Sequence, residues 1–184
     1  MKIIEERRST REFLDKEISE DILEKLVSSA ILAPSAFNFQ PWKFVVVSNK
    51  KKKQEIREIY DSATEKIKLL KKLHLTNVPI YNQDTLFLER ATLIVPCYNK
   101  TISYARDSLA MACENLMLEA VNQNLGSVCV GRPTVFNNYR KKIKKIADVS
   151  KEYEIPYLIA VGYSDFIPSK PKRKSIKEIM KRIK

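Results

Sequence analysis

At 184 residues the chain is long enough to bury one sizeable core and too short for two ordinary domains, so residues 1–184 are expected to form a single domain. Lys and Arg number 34 against 22 Asp and Glu, a formal net charge of +12, and eight basic residues against the single acid Glu178 fall between Lys170 and Lys184. That run holds no aromatic ring, Phe166 standing just ahead of it; without stacking platforms, residues 168–184 read as a solvated basic tail, and nucleic acid is not expected as a partner.

The opening residues MKIIEERRST place charges where a secretory signal needs apolar side chains, and no later window offers about 18 uninterrupted apolar residues. A cytoplasmic chain without membrane spans is therefore expected. From Ser19 to Leu32 the residues Ile22, Leu23, Leu26, Val27, Ala30 and Ile31 recur at helical spacing, and this amphipathic helix must end before Pro34. Phe44 to Val47 is a short run suited to a buried strand, and Lys50 to about Leu73 reads as helix.

Between Thr76 and Arg90 the pattern breaks at Asn77, Pro79, Asn82, Gln83 and Asp84, which predicts a mobile flap carrying Tyr81 and Phe87 over a pocket. Ala91–Tyr98 is a second strand. Ser103–Asn122 is a helix apolar on nearly every side, so a second copy of the chain is expected to cover part of it. Strands follow at Ser127–Val130 and Tyr157–Val161, with a basic helix from about Asn137 to Ala147 between them. Alternation of this kind predicts an α/β or α+β class, and the tail after Pro168 is expected to wrap another surface.

Only Gly126, Gly131 and Gly162 are glycines, so neither a dinucleotide G-x-G-x-x-G turn nor a P-loop can be written. Cys97, Cys113, Cys129 and the lone His74 match no zinc spacing; the cysteines read as reduced core thiols, His74 as a surface residue, and no metal is expected. No nucleophile and base pair stands at a useful spacing either.

Two segments remain. Arg7-Arg8-Ser9-Thr10-Arg11-Glu12-Phe13 gathers three guanidinium groups and two hydroxyls, donors suited to a phosphate dianion. In a helix Arg7 and Arg11 share a face; in extended chain Arg7, Ser9 and Arg11 share a side. Ala33-Pro34-Ser35-Ala36-Phe37-Asn38-Phe39-Gln40-Pro41-Trp42 then joins helix to strand with two prolines and an amide pair, more chain than a plain connector needs.

These two segments, in this order, resemble the R-R-S-x-R-x-F and A-P-S-x-x-N-x-Q-P-W motifs of the nitroreductase family of flavoproteins. Leu125-Gly126-Ser127-Val128-Cys129-Val130-Gly131 and Pro171-Lys172-Arg173-Lys174 extend the resemblance along the chain. It implies a mixed sheet flanked by helices, built as an intertwined homodimer with FMN at the interface. Carried over by motif, Arg7, Ser9 and Arg11 would hold the phosphate and ribityl chain, with Arg8 adjacent and contributing through its backbone, and Arg173 or Lys172 completing the cage. Pro34, Ser35, Ala36 and Asn38 of the other subunit would line the isoalloxazine ring together with Gln40. Val130 and Gly131 would approach its N5 edge.

The activity implied is ping-pong transfer of electrons from NADH or NADPH through FMN to a small acceptor such as a nitroaromatic or quinone, with no obligatory acid or base residue. Dehalogenating and flavin-destroying branches share the scaffold, and a non-catalytic flavin or nucleotide binder with a nucleic-acid-docking tail is the alternative from a different class.

Overall fold

In the computed structural model, which describes residues 2–80 and 84–183, strands β1 (Trp42–Val47), β2 (Thr92–Asn99), β3 (Gly126–Val130), β4 (Tyr153–Glu154) and β5 (Leu158–Gly162) make one sheet. Its order is β1-β2-β5-β3, with β4 against the far end of β2. Every pairing of these strands is antiparallel, and Ser9 adds a parallel bridge to Ser127 on β3. The arrangement is therefore α+β.

The helices are α1 (Lys2–Glu6), α2 (Glu20–Ile31), α3 (Lys50–Lys72), α4 (Phe87–Arg90), α5 (Ala105–Asn122), α6 (Asn137–Ile146) and α7 (Ile176–Ile179). Val47 at the end of β1 faces Leu93 at the start of β2, so the long excursion through α3 returns to the edge it left and no parallel crossover arises. Asn49 caps α3 by accepting from Lys52 N at 3.1 Å, the usual role of an Asn at that position.

The strands alternate between two buried layers. Val47, Leu93, Val95, Cys97, Val128, Val130, Leu158 and Ala160 cluster with Ile56, Ile59 and Tyr60 of α3, Phe87 and Leu88 of α4, and Ile143 of α6. Trp42, Ile94, Ile159 and Val161 cluster with Leu23, Leu26 and Ala30 of α2 and with Leu109, Ala112, Leu116 and Ala120 of α5. Helices on both faces explain why β2 and β5 read as continuous apolar runs instead of alternating ones. A fully buried Leu in such a layer, as Leu26, Leu109 and Leu116 are, contributes roughly 1.5–3 kcal/mol over leaving it exposed. Pro96 is tolerated inside β2 because it falls between the β5 pairing at Thr92–Ile94 and the β4 pairing at Tyr98 and Asn99, where a missing N–H disrupts less.

Several expectations need correction. The five-residue α1 and the two-residue β4 have no counterpart in the apolar spacing, and β1 begins at Trp42 instead of Phe44. Cys97 and Cys113 are buried, but Cys129 is exposed, beside the cleft that it lines with Val130. Phe87 does not belong to a lid: it is 2% exposed, in edge-to-face contact with Tyr60 at 6.1 Å. Tyr81, Asn82 and Gln83 lie outside the described residues. Helix α5 keeps Ala110, Met111 and Glu114 exposed, so within one subunit its apolar surface is only partly covered.

The tail is exposed from Ser169 to Ile183. A capping box, with Ser175 N and Oγ both donating to Glu178 Oε2 at 2.7 and 2.8 Å, organises the single turn of α7. No helix among the described residues is long and apolar enough to cross a membrane.

Candidate active site

Helix α1 ends at Glu6, and Arg7 N still donates to Ile3 O, after which the chain straightens. Thr10 N donates to Ser127 O at 3.0 Å, and Thr10 itself is buried. The anchor on β3 carries Ser9 and Arg11, both exposed, to the end of the sheet. Extended geometry thus holds from Ser9 to Arg11, while Arg7 and Arg8 finish a helical turn. Arg7 Nε lies 3.5 Å from Glu114 Oε1 on α5. The Arg8 guanidinium is turned back through Nη1 onto Glu5 O and Arg7 O at 2.7 and 2.8 Å.

Arg11 meets Cys129, Val130 and Gly131 in a cleft of about 280 Å³ completed by Tyr60, Val78, Pro79, Phe87, Arg132 and Val135. Its walls are mostly apolar and its polar groups converge. Two of them are guanidinium groups, and no carboxylate is among these lining residues. Gly131 has an ordinary φ of −87°, and a β-carbon there would meet nothing within 4 Å. The chain's own packing therefore does not require glycine at this position; what its small size leaves is open space in front of the backbone, which a flat ring can occupy. Burial pushes the Cys129 thiol up to about 11, opposed in part by the Arg11 guanidinium.

The loop between α2 and β1 is strained. Phe37, Asn38 and Gln40 all have positive φ, at 51°, 55° and 46°, a region costly for bulky side chains. Ser108 on α5, itself buried, accepts from Ala36 N at 3.4 Å and donates to Tyr104 O at 3.0 Å. Ser35 Oγ accepts from Gln40 N at 3.0 Å. These bonds hold the loop outward, with Phe37 82% exposed beside Leu32 at 81%. Pro34, Ser35, Ala36, Asn38 and Gln40 do not line the cleft of their own chain, and Lys172 and Arg173 lie in the exposed tail.

The chain by itself therefore gathers Arg11, Val130 and Gly131, and leaves Pro34, Asn38, Gln40, Lys172 and Arg173 exposed away from that cleft. Among the described residues no group of three or more His, Cys, Asp and Glu side chains comes together for a metal ion.

Residues 4–163 match the model of the nitroreductase family. The chain belongs to the nitroreductase family. A protein of Archaeoglobus fulgidus bearing the provisional name NADH dehydrogenase/NAD(P)H nitroreductase is 26% identical over 170 residues, covering 89% of this chain and 84% of its own. An iodotyrosine deiodinase of Thermotoga neapolitana is 27% identical over 168 residues, covering 89% and 87%. The solved structure of an FMN-dependent nitroreductase from Clostridium difficile R20291 superposes with a TM-score of 0.78 at 25% identity, covering 99% of this chain and 97% of its own.

For this nitroreductase-family chain the sequence motifs miss four cleft residues, Val135 among them. Arg132 follows Gly131 directly but lies just past the motif, and its guanidinium sits over the Tyr60 ring at 4.9 Å. Tyr60 carries only the helical spacing of a core residue. Cys129 stands inside a motif whose signal is Val130 and Gly131. Of the flap, Val78 and Pro79 do reach the cleft.

Proposed function

We propose that this chain is an FMN-dependent oxidoreductase that works as a homodimer, drawing electrons from NADH or NADPH and delivering them to a small planar acceptor such as a nitroaromatic or quinone. The observation that carries the reading is the cleft itself, where Arg11, Val130 and Gly131 converge around open space in front of a glycine backbone. Family membership and the likeness to an FMN-dependent nitroreductase support the choice of cofactor.

Bound FMN supplies the redox chemistry: a hydride from NAD(P)H brings two electrons, which leave to the acceptor with protons drawn from solvent. The chain's residues position and stabilise. Arg11 lines the cleft beside Val130 and Gly131, so in place of the phosphate role its motif implies it would set a fixed positive charge at the pyrimidine edge of the ring, in a mostly apolar setting that strengthens the interaction. Ser9, Arg7 and the Arg8 backbone hold phosphate and ribityl oxygens; Glu114 pairs with Arg7 and must yield to that phosphate. Val130 and Gly131 let backbone approach the N5 edge. From the partner subunit, Pro34, Ser35, Ala36, Asn38 and Gln40 line the ring, the amides both donating and accepting as its pyrimidine edge requires. Lys172 and Arg173 bring the tail to the phosphate. The strain at Phe37 and Asn38 and the exposed rings around them support a loop shaped for a second subunit.

The test is the visible spectrum of protein purified with FMN, followed by anaerobic addition of NADH and NADPH in turn. Bleaching by either, and recovery on adding a nitroaromatic or quinone, is expected. Flavin that stays bound yet unbleached would overturn the reductase reading in favour of a non-catalytic flavin binder. Reductive dehalogenation is the second reading, favoured by the deiodinase relative; a halogenated phenol that reoxidises the enzyme faster than a nitroaromatic would select it.

A further inference from the structure

Among the described residues Arg132 has no carboxylate partner. Its Nη1 donates to Thr64 Oγ1 at 3.2 Å and its Nη2 to Pro79 O at 3.4 Å, while its plane lies over Tyr60. Both hydrogen bonds are long and go to neutral oxygens, so the charge is held in place without being neutralised. The ring beneath it and Thr64 on the same helix fix its orientation; three of its five N–H donors have no hydrogen-bond partner among the described residues.

The position of that charge matters. Arg132 adjoins Gly131, and the cleft they share has Val78, Pro79, Phe87, Val130 and Val135 for walls. A planar molecule entering this cleft beside the cofactor meets mostly apolar surface, with the Arg132 guanidinium at its border. Arg11 is committed to the pyrimidine edge of the cofactor in the proposed function, on which this inference rests. Arg132 is left for the incoming molecule.

A forked, fixed guanidinium bordered by apolar walls selects a planar anion with two oxygens. We propose that Arg132 is the specificity-determining residue for the acceptor and that the site prefers aromatic carboxylates to their neutral analogues. The acceptor's carboxylate displaces Pro79 O from the guanidinium and pairs with it bidentately, while its ring lies beside the cofactor against the apolar wall that Val78 and Val135 supply. A phosphate of the pyridine nucleotide offers the same oxyanion chemistry, and the experiment separates the two sources.

FMN-loaded protein is titrated in the oxidised state with 4-nitrobenzoate and with 4-nitrobenzamide, and binding is read from the flavin difference spectrum. The expected result is at least tenfold tighter binding of the carboxylate, a preference that falls to within twofold in Arg132→Gln and is partly kept in Arg132→Lys. The amide, which makes no ion pair, binds wild type and Arg132→Gln alike. A merely structural role for Arg132 would weaken both ligands together and leave the ratio unchanged, and so would overturn the assignment. So would equal binding of the two ligands, or of neither, to wild type. Anaerobic reduction by NADPH and NADH is followed in the same proteins: a loss in Arg132→Gln confined to NADPH, with the carboxylate preference intact, would assign the residue to the nucleotide phosphate instead. Protein that takes up no FMN would overturn the functional reading itself, an outcome visible in the spectrum before any ligand is added.

Discussion

Thr10 closes over Gly126: a β-carbon placed on that glycine would lie 2.8 Å from both Cβ and Cγ2 of the threonine. Gly126, the first residue of β3, pairs with Gly162 at the end of β5, so neither the strand nor Thr10, tied to Ser127 O, can shift without moving Ser9 and Arg11 with it. Gly126→Ala should cost about 1–3 kcal/mol through overpacking and weaken FMN binding as well. Urea unfolding of the apoprotein and fluorescence titration with FMN measure the two effects; a stability loss with unchanged FMN affinity would uncouple Thr10 from the site.

Arg11 tests the cofactor assignment more directly. It is exposed and forms no salt bridge among the described residues, and a surface residue of this kind normally changes stability by less than about 0.5 kcal/mol on substitution. Arg11→Ala should therefore leave the apoprotein's unfolding midpoint nearly unchanged and weaken FMN binding by roughly tenfold or more, the size expected for removing one charge-assisted hydrogen bond. An FMN dissociation constant equal to wild type would remove Arg11 from the site.

How much of the molecule is legible in its sequence depends on period and on side-chain geometry. Helices α2, α3, α5 and α6 stand within about two residues of their apolar spacing because 3.6-residue periodicity is visible over ten or more positions. Helix α1 and β4 are too short to show a period, and the Pro41-Trp42 pair looks like punctuation although Trp42 already pairs with Tyr98. At the site, Arg11, Val130 and Gly131 stand in motifs, and the structure brings them to one cleft. Tyr60 cannot be read, since a cleft wall on α3 has the same spacing as a core residue. The left-handed backbone at Phe37 is invisible for another reason: no glycine marks it, and an aromatic residue is a rare carrier of positive φ.

The face around that loop makes its own prediction. Leu32 is 81% exposed and Phe37 82% exposed in the single chain, so substituting either with Asp removes little intramolecular packing. Leu32→Asp should leave the folded core intact yet shift the protein to monomer and lower FMN occupancy, as judged by light scattering and the ratio of flavin to protein absorbance. A variant that remains dimeric and flavin-loaded would place the interface elsewhere.

Lys53 supplies a pH dependence. Its ammonium is buried and donates to Ala91 O at 3.0 Å, and burial lowers its pKa from 10.5 despite the nearby acids Asp15, Glu17 and Glu89. The folded chain therefore binds this proton less tightly than the unfolded chain. The resulting penalty is fully present below the lowered pKa and is relieved as pH rises towards 10.5. Stability in urea should accordingly gain an alkaline increment in wild type that Lys53→Met lacks; parallel profiles for the two proteins would assign the slope to other groups.

Strand β3 has β5 on one side and, on the other, among the described residues only the short bridge from Ser9. The N-terminal segment thus serves as a cover strip for a row of backbone groups that would otherwise be free to recruit a strand from another molecule. Loosening it would do more than release cofactor. It would bare a template for intermolecular pairing, so apoprotein with a displaced or proteolytically clipped N-terminus should be prone to precipitate, and retention of the cofactor should protect the chain in storage as well as equip it for turnover.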